Sequence, residues 1–238
     1  MGTFINGAAI LLGGILGMLF GKALPQRCQD GLAKVCGVST LFIGISGVLE
    51  EMISVEGSGI KTDGALLIII CLALGALVGE WINIEGAFER FGQWLKVKSG
   101  SAKDPRFVEG FLTASFTVCI GAMAIVGALE DGLTGDFSIL ATKAILDFII
   151  ILVMASSLGK GCMFSAIPVV LWQGAITLLA KVVAPIMTDA ALSNLSLVGN
   201  VLIFCVGINL VWGSKVRVAN LLPAIVFAVV AAFLPIAL

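Results

Sequence analysis

Eight apolar runs, each near the length that crosses the hydrocarbon of a bilayer, leave this chain few folds to adopt. They cover approximately residues 4–24, 32–49, 64–82, 108–129, 138–158, 164–186, 195–212 and 218–238. Lipid offers no partner to backbone N–H and C=O groups, so each run must close its own hydrogen bonds as a helix or join a closed barrel. A barrel needs lipid-facing and lumen-facing residues in alternation, and these runs do not alternate. The expectation is an all-α membrane protein, one integral-membrane domain over residues 1–238, built as a polytopic bundle of about eight transmembrane helices. Charged residues are 12% of the chain, about half the roughly 25% of a soluble domain.

Lys and Arg set the expected orientation, because cation-bearing loops stay in the cytoplasm. Lys22, Arg27 and Lys34 follow the first run, and Arg90, Lys96, Lys98, Lys103 and Arg106 follow the third. Lys160 follows the fifth, and Lys215 and Arg217 follow the seventh. The even-numbered connections hold only Lys61, while Lys143 and Lys181 lie inside runs five and six. Both termini are therefore expected outside the cytoplasm. The first run begins directly after Met1-Gly2-Thr3 with no cation before it, which predicts a retained span rather than a cleaved leader. Asn6 breaks the myristoylation pattern. In the longest connection, residues 84–96 place Ile84, Phe88, Phe91 and Leu95 at helical spacing opposite Glu85, Glu89, Arg90 and Lys96. That pattern predicts an interfacial amphipathic helix with its apolar stripe among the headgroups.

Internal echoes suggest helix-pair repeats. Leu16-Gly-Met-Leu-Phe-Gly21 matches Leu74-Gly-Ala-Leu-Val-Gly79, and Ile43-Gly-Ile-Ser-Gly-Val-Leu-Glu-Glu51 resembles the segment from Ile120 to Asp131. A fainter echo joins residues 42–46 to 204–209. Runs two and seven point in opposite directions, so this one would be an inverted repeat, as in many carriers. Gly13, Gly17 and Gly21 form overlapping GxxxG patterns that Gly75 and Gly79 repeat. They permit close backbone approach within one chain or between two, so a homodimer stays open beside intramolecular packing.

Ionisable groups inside a bilayer point to function because they are costly there. Asp147 lies near the middle of run five, with Lys143 one turn earlier at the i, i+4 spacing that brings side chains together. Such an acid can bind a cation or carry a proton; the structural alternative is a neutralised ion pair. Run four enters with Glu109 and closes in Glu130 and Asp131, the repeat counterparts of Glu50 and Glu51. If these acids share an outer vestibule they concentrate cations, although retention of cations inside leaves outer loops acidic by default. Thr113, Ser115, Thr117, Gln173, Asn200, Asn209 and Asn220 are further polar groups, fit either to line a path or to hold helices together. Pro168, Pro223, Gly121, Gly127 and Gly132 mark places where a helix can bend or break.

Several chemistries are excluded. With no His and no Tyr, a His-ligated metal site, a Ser-His-Asp triad and a Tyr acid cannot be built. The six cysteines show no CxxC spacing and read as small apolar fillers. A net charge of −1 argues against nucleic acid as a partner. No nucleotide motif is present, no cofactor or metal is expected, and no nucleophile and base suggest an enzyme.

The stretch from Cys119 to Asp136, then Leu140 to Asp147, and Val216-Arg-Val-Ala-Asn-Leu-Leu-Pro-Ala224 resemble the YqgA/YdfK-like family of bacterial inner-membrane proteins nearly end to end. The resemblance implies a small polytopic inner-membrane protein assigned to transport without a defined substrate, and it transfers no catalytic residue. The combined expectation is a transporter or channel for a small solute or ion, cation or proton-coupled. Its candidate site residues are Asp147, Lys143, Glu130, Asp131, Glu50, Glu109, Thr117, Gln173 and Asn209. The alternative is a membrane-embedded scaffold or accessory subunit. A reporter fused at the C-terminal end should give an extracytoplasmic signal; a cytoplasmic one means the number of spans is odd.

Overall fold

Apolar runs become helices in the computed structural model, which describes residues 1–56, 59–120, 122–213 and 215–234. The expected loosening at Gly121 and the last part of the eighth run, 235–238, lie outside the described residues. In chain order the helices are α1 (Gly2–Ala23), α2 (Gln26–Met52), α3 (Ala65–Ile82), α4 (Ile84–Lys98), α5 (Phe107–Cys119), α6 (Ala122–Leu133) and α7 (Ser138–Leu158). A 3₁₀ helix (Gly159–Ser165), α8 (Ala166–Leu178), α9 (Ala180–Val183), α10 (Asp189–Trp212), α11 (Val218–Leu221) and α12 (Pro223–Ala231) follow. Among the described residues five stretches are long and apolar enough to cross a membrane: α1, most of α2, α3, the continuous stretch from α7 to α8, and α10. The pair α5 and α6, bent by 62°, makes a sixth if it counts as one span, and Val218–Ala231 is a shorter apolar helix.

The stretch from α7 to α8 is a hairpin. Gly13, Gly17 and Gly21 of α1 face Phe148, Leu152 and Ser156 in ascending order, whereas Gly7 and Gly14 face Val170 and Met163 in descending order. So α7 runs parallel to α1 and α8 antiparallel to it, and the chain reverses at Gly159, whose φ of 82° ends α7. A left-handed residue at that place favours glycine, which pays no Cβ penalty there.

Close packing explains the glycine patterns. A methyl group on Gly13, Gly17 or Gly21 would collide with the carbonyl oxygens of Phe148, Leu152 and Ser156. Each glycine sits four residues from the next and meets a carbonyl also four residues from the next, so the two backbones touch along three turns. In lipid, where apolar burial does not drive association, such contact is what holds helices together. Gly75 and Gly79 of α3 meet Ala224 and Asn220 in the same manner. These glycine faces are thus occupied within the chain. The segments of the fainter echo also meet, since Gly44 of α2 lies against Phe204 and Gly207 of α10 against Leu41, antiparallel.

The cation-bearing connections gather at one end. Lys22, Arg106 and Lys160 line one cleft there, and Arg217 pairs with Glu80 at 2.9 Å. Met1 and Asp131 mark the other end.

One connection differs from expectation, and α4 makes contacts that its periodicity does not specify. Between α2 and α3 a hairpin of β1 (Ile53–Glu56) and β2 (Gly59–Thr62) pairs Ile53 with Thr62 and Ser54 with Lys61. Its β-branched residues fit a pleated pair, and a connection outside the apolar runs is free to use one. The apolar stripe of α4 packs in part on α5, while Trp94 and Val97 stay exposed. Leu95 is buried with Phe107 and Phe111, while Ile84 and Phe88 pack on the cluster around Phe116. Phe91 stacks edge-on to Phe111 at 5.8 Å. Aromatic pairing thus ties α4 to α5.

Gly17→Leu should separate α1 from α7 and cost about 1–3 kcal/mol, the usual range for overpacking. A leucine at Gly31, which faces open space, should be neutral. Thermal unfolding of the detergent-solubilised variants reads the difference.

Candidate functional site

Run five supplies two charges that hydrocarbon alone would not tolerate. Asp147 lies nine residues into α7, roughly 13 Å along the axis, and is 2% exposed; Lys143, one turn before it, is 8% exposed. The Lys143 ammonium donates to both carboxylate oxygens, at 2.8 Å to Oδ1 and 2.7 Å to Oδ2. A buried pair of this kind survives only where further hydrogen bonds complete it, because desolvating each ion costs several kcal/mol.

Neighbouring helices complete it. Asn6 of α1, fully buried, donates from Nδ2 to Asp147 Oδ2 at 3.0 Å and to Gln173 Oε1 of α8 at 3.3 Å. Three helices thus meet at one cluster: Asn6 reaches the carboxylate, and Gln173 joins it through Asn6. Asn6 Oδ1 and Gln173 Nε2 are buried and have no protein partner. Each is a group that ordinarily finds a partner when buried.

A ladder of polar groups leads from this cluster toward the Met1 end. Thr3 lies one turn before Asn6 on α1, and Thr177 one turn beyond Gln173 on α8; their hydroxyls are 3.5 Å apart. Above them the Asp131 carboxylate accepts from the backbone N–H of Gly2 at 3.0 Å and from the Met1 amino group at 2.8 Å. An acid at this place complements the positive end of the α1 dipole.

The broken span borders the same cluster. Cys119, the last residue of α5, packs against the apolar cluster of Ile10 on α1 and Ile151 and Met154 on α7. The helix therefore ends against the two elements that carry Asn6 and Asp147. Discontinuous helices at polar centres are a recurrent feature of transporter sites.

The remaining candidates divide among other places. Glu109 and Asn209 line a cleft of about 420 Å³ at the cation-bearing end, together with Glu85, Glu89 and Thr113. Asn209 also ties the turn after α10, donating to the Val216 carbonyl and accepting from the N–H groups of Lys215 and Val216. The Thr117 hydroxyl donates to the Thr113 carbonyl within α5. Glu130 accepts from Thr134 through its backbone, and Glu50 is exposed near the end of α2. Its neighbour Glu51 accepts from Ser193 of α10, so Glu51 and Asp131 engage different helices. Asp136 accepts from Ser138 twice, which holds its carboxyl below the usual range.

Asn6 and the Thr3–Thr177 pair are absent from the residues selected by sequence. The signal was available for Asn6: among the residues of run one before Lys22 it is the only large polar side chain. The cost argument that picked out Asp147 applies to it as well. The two threonines carried no comparable signal, since a helical hydroxyl often bonds its own backbone.

Comparison with known proteins adds family and class. A family described as "Protein of unknown function (DUF554)" matches residues 1–233. The chain is 31% identical over 232 residues to "Uncharacterized membrane protein YdfK" of Bacillus subtilis (strain 168), covering 98% of this chain and 95% of that protein. It is 30% identical over 232 residues to "Uncharacterized protein YqgA" of Escherichia coli (strain K12), covering 96% and 94%. No solved structure matches significantly.

The cluster predicts strong non-additivity. Lys143→Met alone should cost about 3–5 kcal/mol by leaving an unpaired buried carboxylate, and Asp147→Asn added to it should restore much of that. A double-mutant cycle on thermal stability checks it; additive losses would mean that the two charges do not interact.

Proposed function

We propose that this chain, which belongs to the DUF554 family and is a helical membrane protein, moves a small solute or ion, with a cation or proton as the favoured passenger. One observation carries the reading: a buried charge pair in the middle of the bundle is flanked by amide atoms that no protein group satisfies. Unused donor and acceptor capacity beside a buried carboxylate is what an incoming ion or proton would engage. The polar ladder through Thr3 and Thr177, and the helix break at Cys119, support the same reading.

Exchange of partners is the physical basis of the mechanism. Asp147 can be neutralised by Lys143, by a proton or by a passing cation, but not well by two at once. Arrival of a cation at Asp147 therefore releases Lys143, and a released ammonium cannot stay in apolar surroundings. It must move toward water or a new acceptor, and α7 is bound to α1 and α8 through these same side chains. Occupancy of the carboxylate is thereby coupled to the fit of three helices, which is what alternating access requires. Asn6 and Gln173 can each turn an amide to present oxygen or N–H to either occupant. Translocation, not covalent chemistry, is the role assigned to this site, and an ion gradient or a separate subunit would supply the energy. The setting proposed is the bacterial inner membrane, crossed eight times, with the cation-bearing connections in the cytoplasm.

The other reading, a scaffold or accessory subunit, draws on the extensive glycine contacts of α1 with α7 and of α3 with α12. Reconstituted liposomes separate the two. Flux of protons, alkali cations or small organic cations should be measurable, and should fall by about tenfold or more in Asp147→Asn while exposed Cys28→Ser keeps it. Absence of flux across such a screen would favour the scaffold. Unchanged flux in Asp147→Asn would remove the carboxylate from the path.

A further inference from the structure

A second feature lies on the other side of Cys119. Between α3, α4, α5, α8 and α12 is a cavity of about 840 Å³, within the roughly 300–1,000 Å³ of small-molecule sites. Its walls are almost wholly apolar, and three helix breaks meet there, marked by Ile120, Pro168 and Pro223. At the inner wall is Ser115, 1% exposed, whose hydroxyl has no partner. At the mouth Leu171, Val226 and Ile82 are each more than 60% exposed, as lipid-facing residues are, so the cavity opens sideways into the bilayer.

At its inner end stand Phe88 and Phe116, edge to face at 5.3 Å. Phe116 also lines the cleft that holds Glu85, Glu89 and Glu109. Among the described residues none of these three acids is in an ion pair; Glu85 accepts from the N–H of Ala219 at 3.2 Å, and Arg217, which borders Glu85 and Glu89, pairs with Glu80. An apolar chamber and an acidic cleft thus share one aromatic partition, and an aromatic face attracts a cation.

We propose that the chamber and the cleft together form a binding site for an amphiphilic cation that enters from the bilayer, its apolar body in the chamber and its charge drawn to the three glutamates. Ser115 gives the chamber one hydrogen-bond donor for a polar atom on that body. This site is separate from the Asp147 cluster, and its test is binding rather than flux, so it fails or stands independently of the transport reading.

The test uses the purified full-length chain in detergent with two probes of like shape and opposite charge, tetraphenylphosphonium and tetraphenylborate. Tetraphenylphosphonium should bind about tenfold tighter or better. Ala175→Trp, which narrows the chamber from its wall, should weaken both probes while the protein stays monodisperse. Glu89→Gln with Glu109→Gln, both at exposed positions, should reduce the preference to about threefold or less, weakening tetraphenylphosphonium and not weakening tetraphenylborate, whose repulsion is relieved. Equal affinities in the unmodified protein, a preference that survives the double variant, or binding indifferent to Ala175→Trp would overturn the proposal. So would a chamber holding phospholipid that tetraphenylphosphonium does not displace, read by native mass spectrometry.

Discussion

A carboxylate and an ammonium one helical turn apart in the middle of an apolar helix organise this molecule. Their mutual attraction does not by itself repay the loss of water, so the fold must bring more donors to Asp147. Asn6 is the donor it brings, and Asn6 belongs to a helix 141 positions away in sequence. An asparagine side chain is short. It reaches across only if the backbones of α1 and α7 lie unusually close, which Gly13, Gly17 and Gly21 allow by meeting Phe148, Leu152 and Ser156 without a Cβ between them. The glycine face and the buried charge are therefore one device: the first sets the distance at which the second is satisfied.

Backbone hydrogen bonding imposes the next constraint. Every interruption of a helix in lipid leaves N–H or C=O groups to be satisfied elsewhere, yet this chain interrupts four of its apolar runs or their junctions. Pro223 is the first residue of α12 and Pro168 the third of α8, positions where the missing N–H is not required for a helical bond. The 3₁₀ helix Gly159–Ser165 turns the chain between α7 and α8, and the Ser165 hydroxyl donates to the Cys162 carbonyl to satisfy one of its acceptors. At α11 the side chain of Asn220 accepts the N–H of Glu85 and so caps α4. The turn after α7 and the start of α4 are thus supported by named side chains.

How much of this was legible in the sequence depends on the range of the interaction. Apolar length and the i, i+4 relation are local, so run five, 138–158, coincides with α7, and the Lys143–Asp147 pair could be read directly. The partners of that pair could not, because nothing local says which helix faces which. Gln173 entered the candidate set only as a polar residue in an apolar run, and Asn6 escaped it although the same cost applied. The stripe on α4 was visible as a periodicity, but amphipathic spacing is equally consistent with headgroups and with a neighbouring helix. Phe107 and Phe111, which Leu95 packs against, lie in the next helix, so no local pattern names them. The hairpin of β1 and β2 sits in a connection where no lipid forces a helix, so the principle that governed the runs was silent there.

Acidic residues illustrate why position on a topology diagram is a weak guide to role. Asp131, placed by sequence at an outer vestibule, accepts hydrogen bonds from the first residues of α1 and thereby joins α6 to α1 at the head of the polar ladder. Glu51, its repeat counterpart, instead joins α2 to α10 through Ser193. A field that concentrates cations needs carboxylates whose charge is not already answered and whose side chains share an enclosed space. In the cleft of Glu85, Glu89 and Glu109, Glu85 is engaged by the Ala219 N–H, whereas Glu89 and Glu109 enter no ion pair among the described residues, at the end that carries most of the Lys and Arg. Cations retained in loops and acids gathered in a cleft are not in conflict: loop cations act on topology, whereas carboxylates that line a cleft act on whatever enters it.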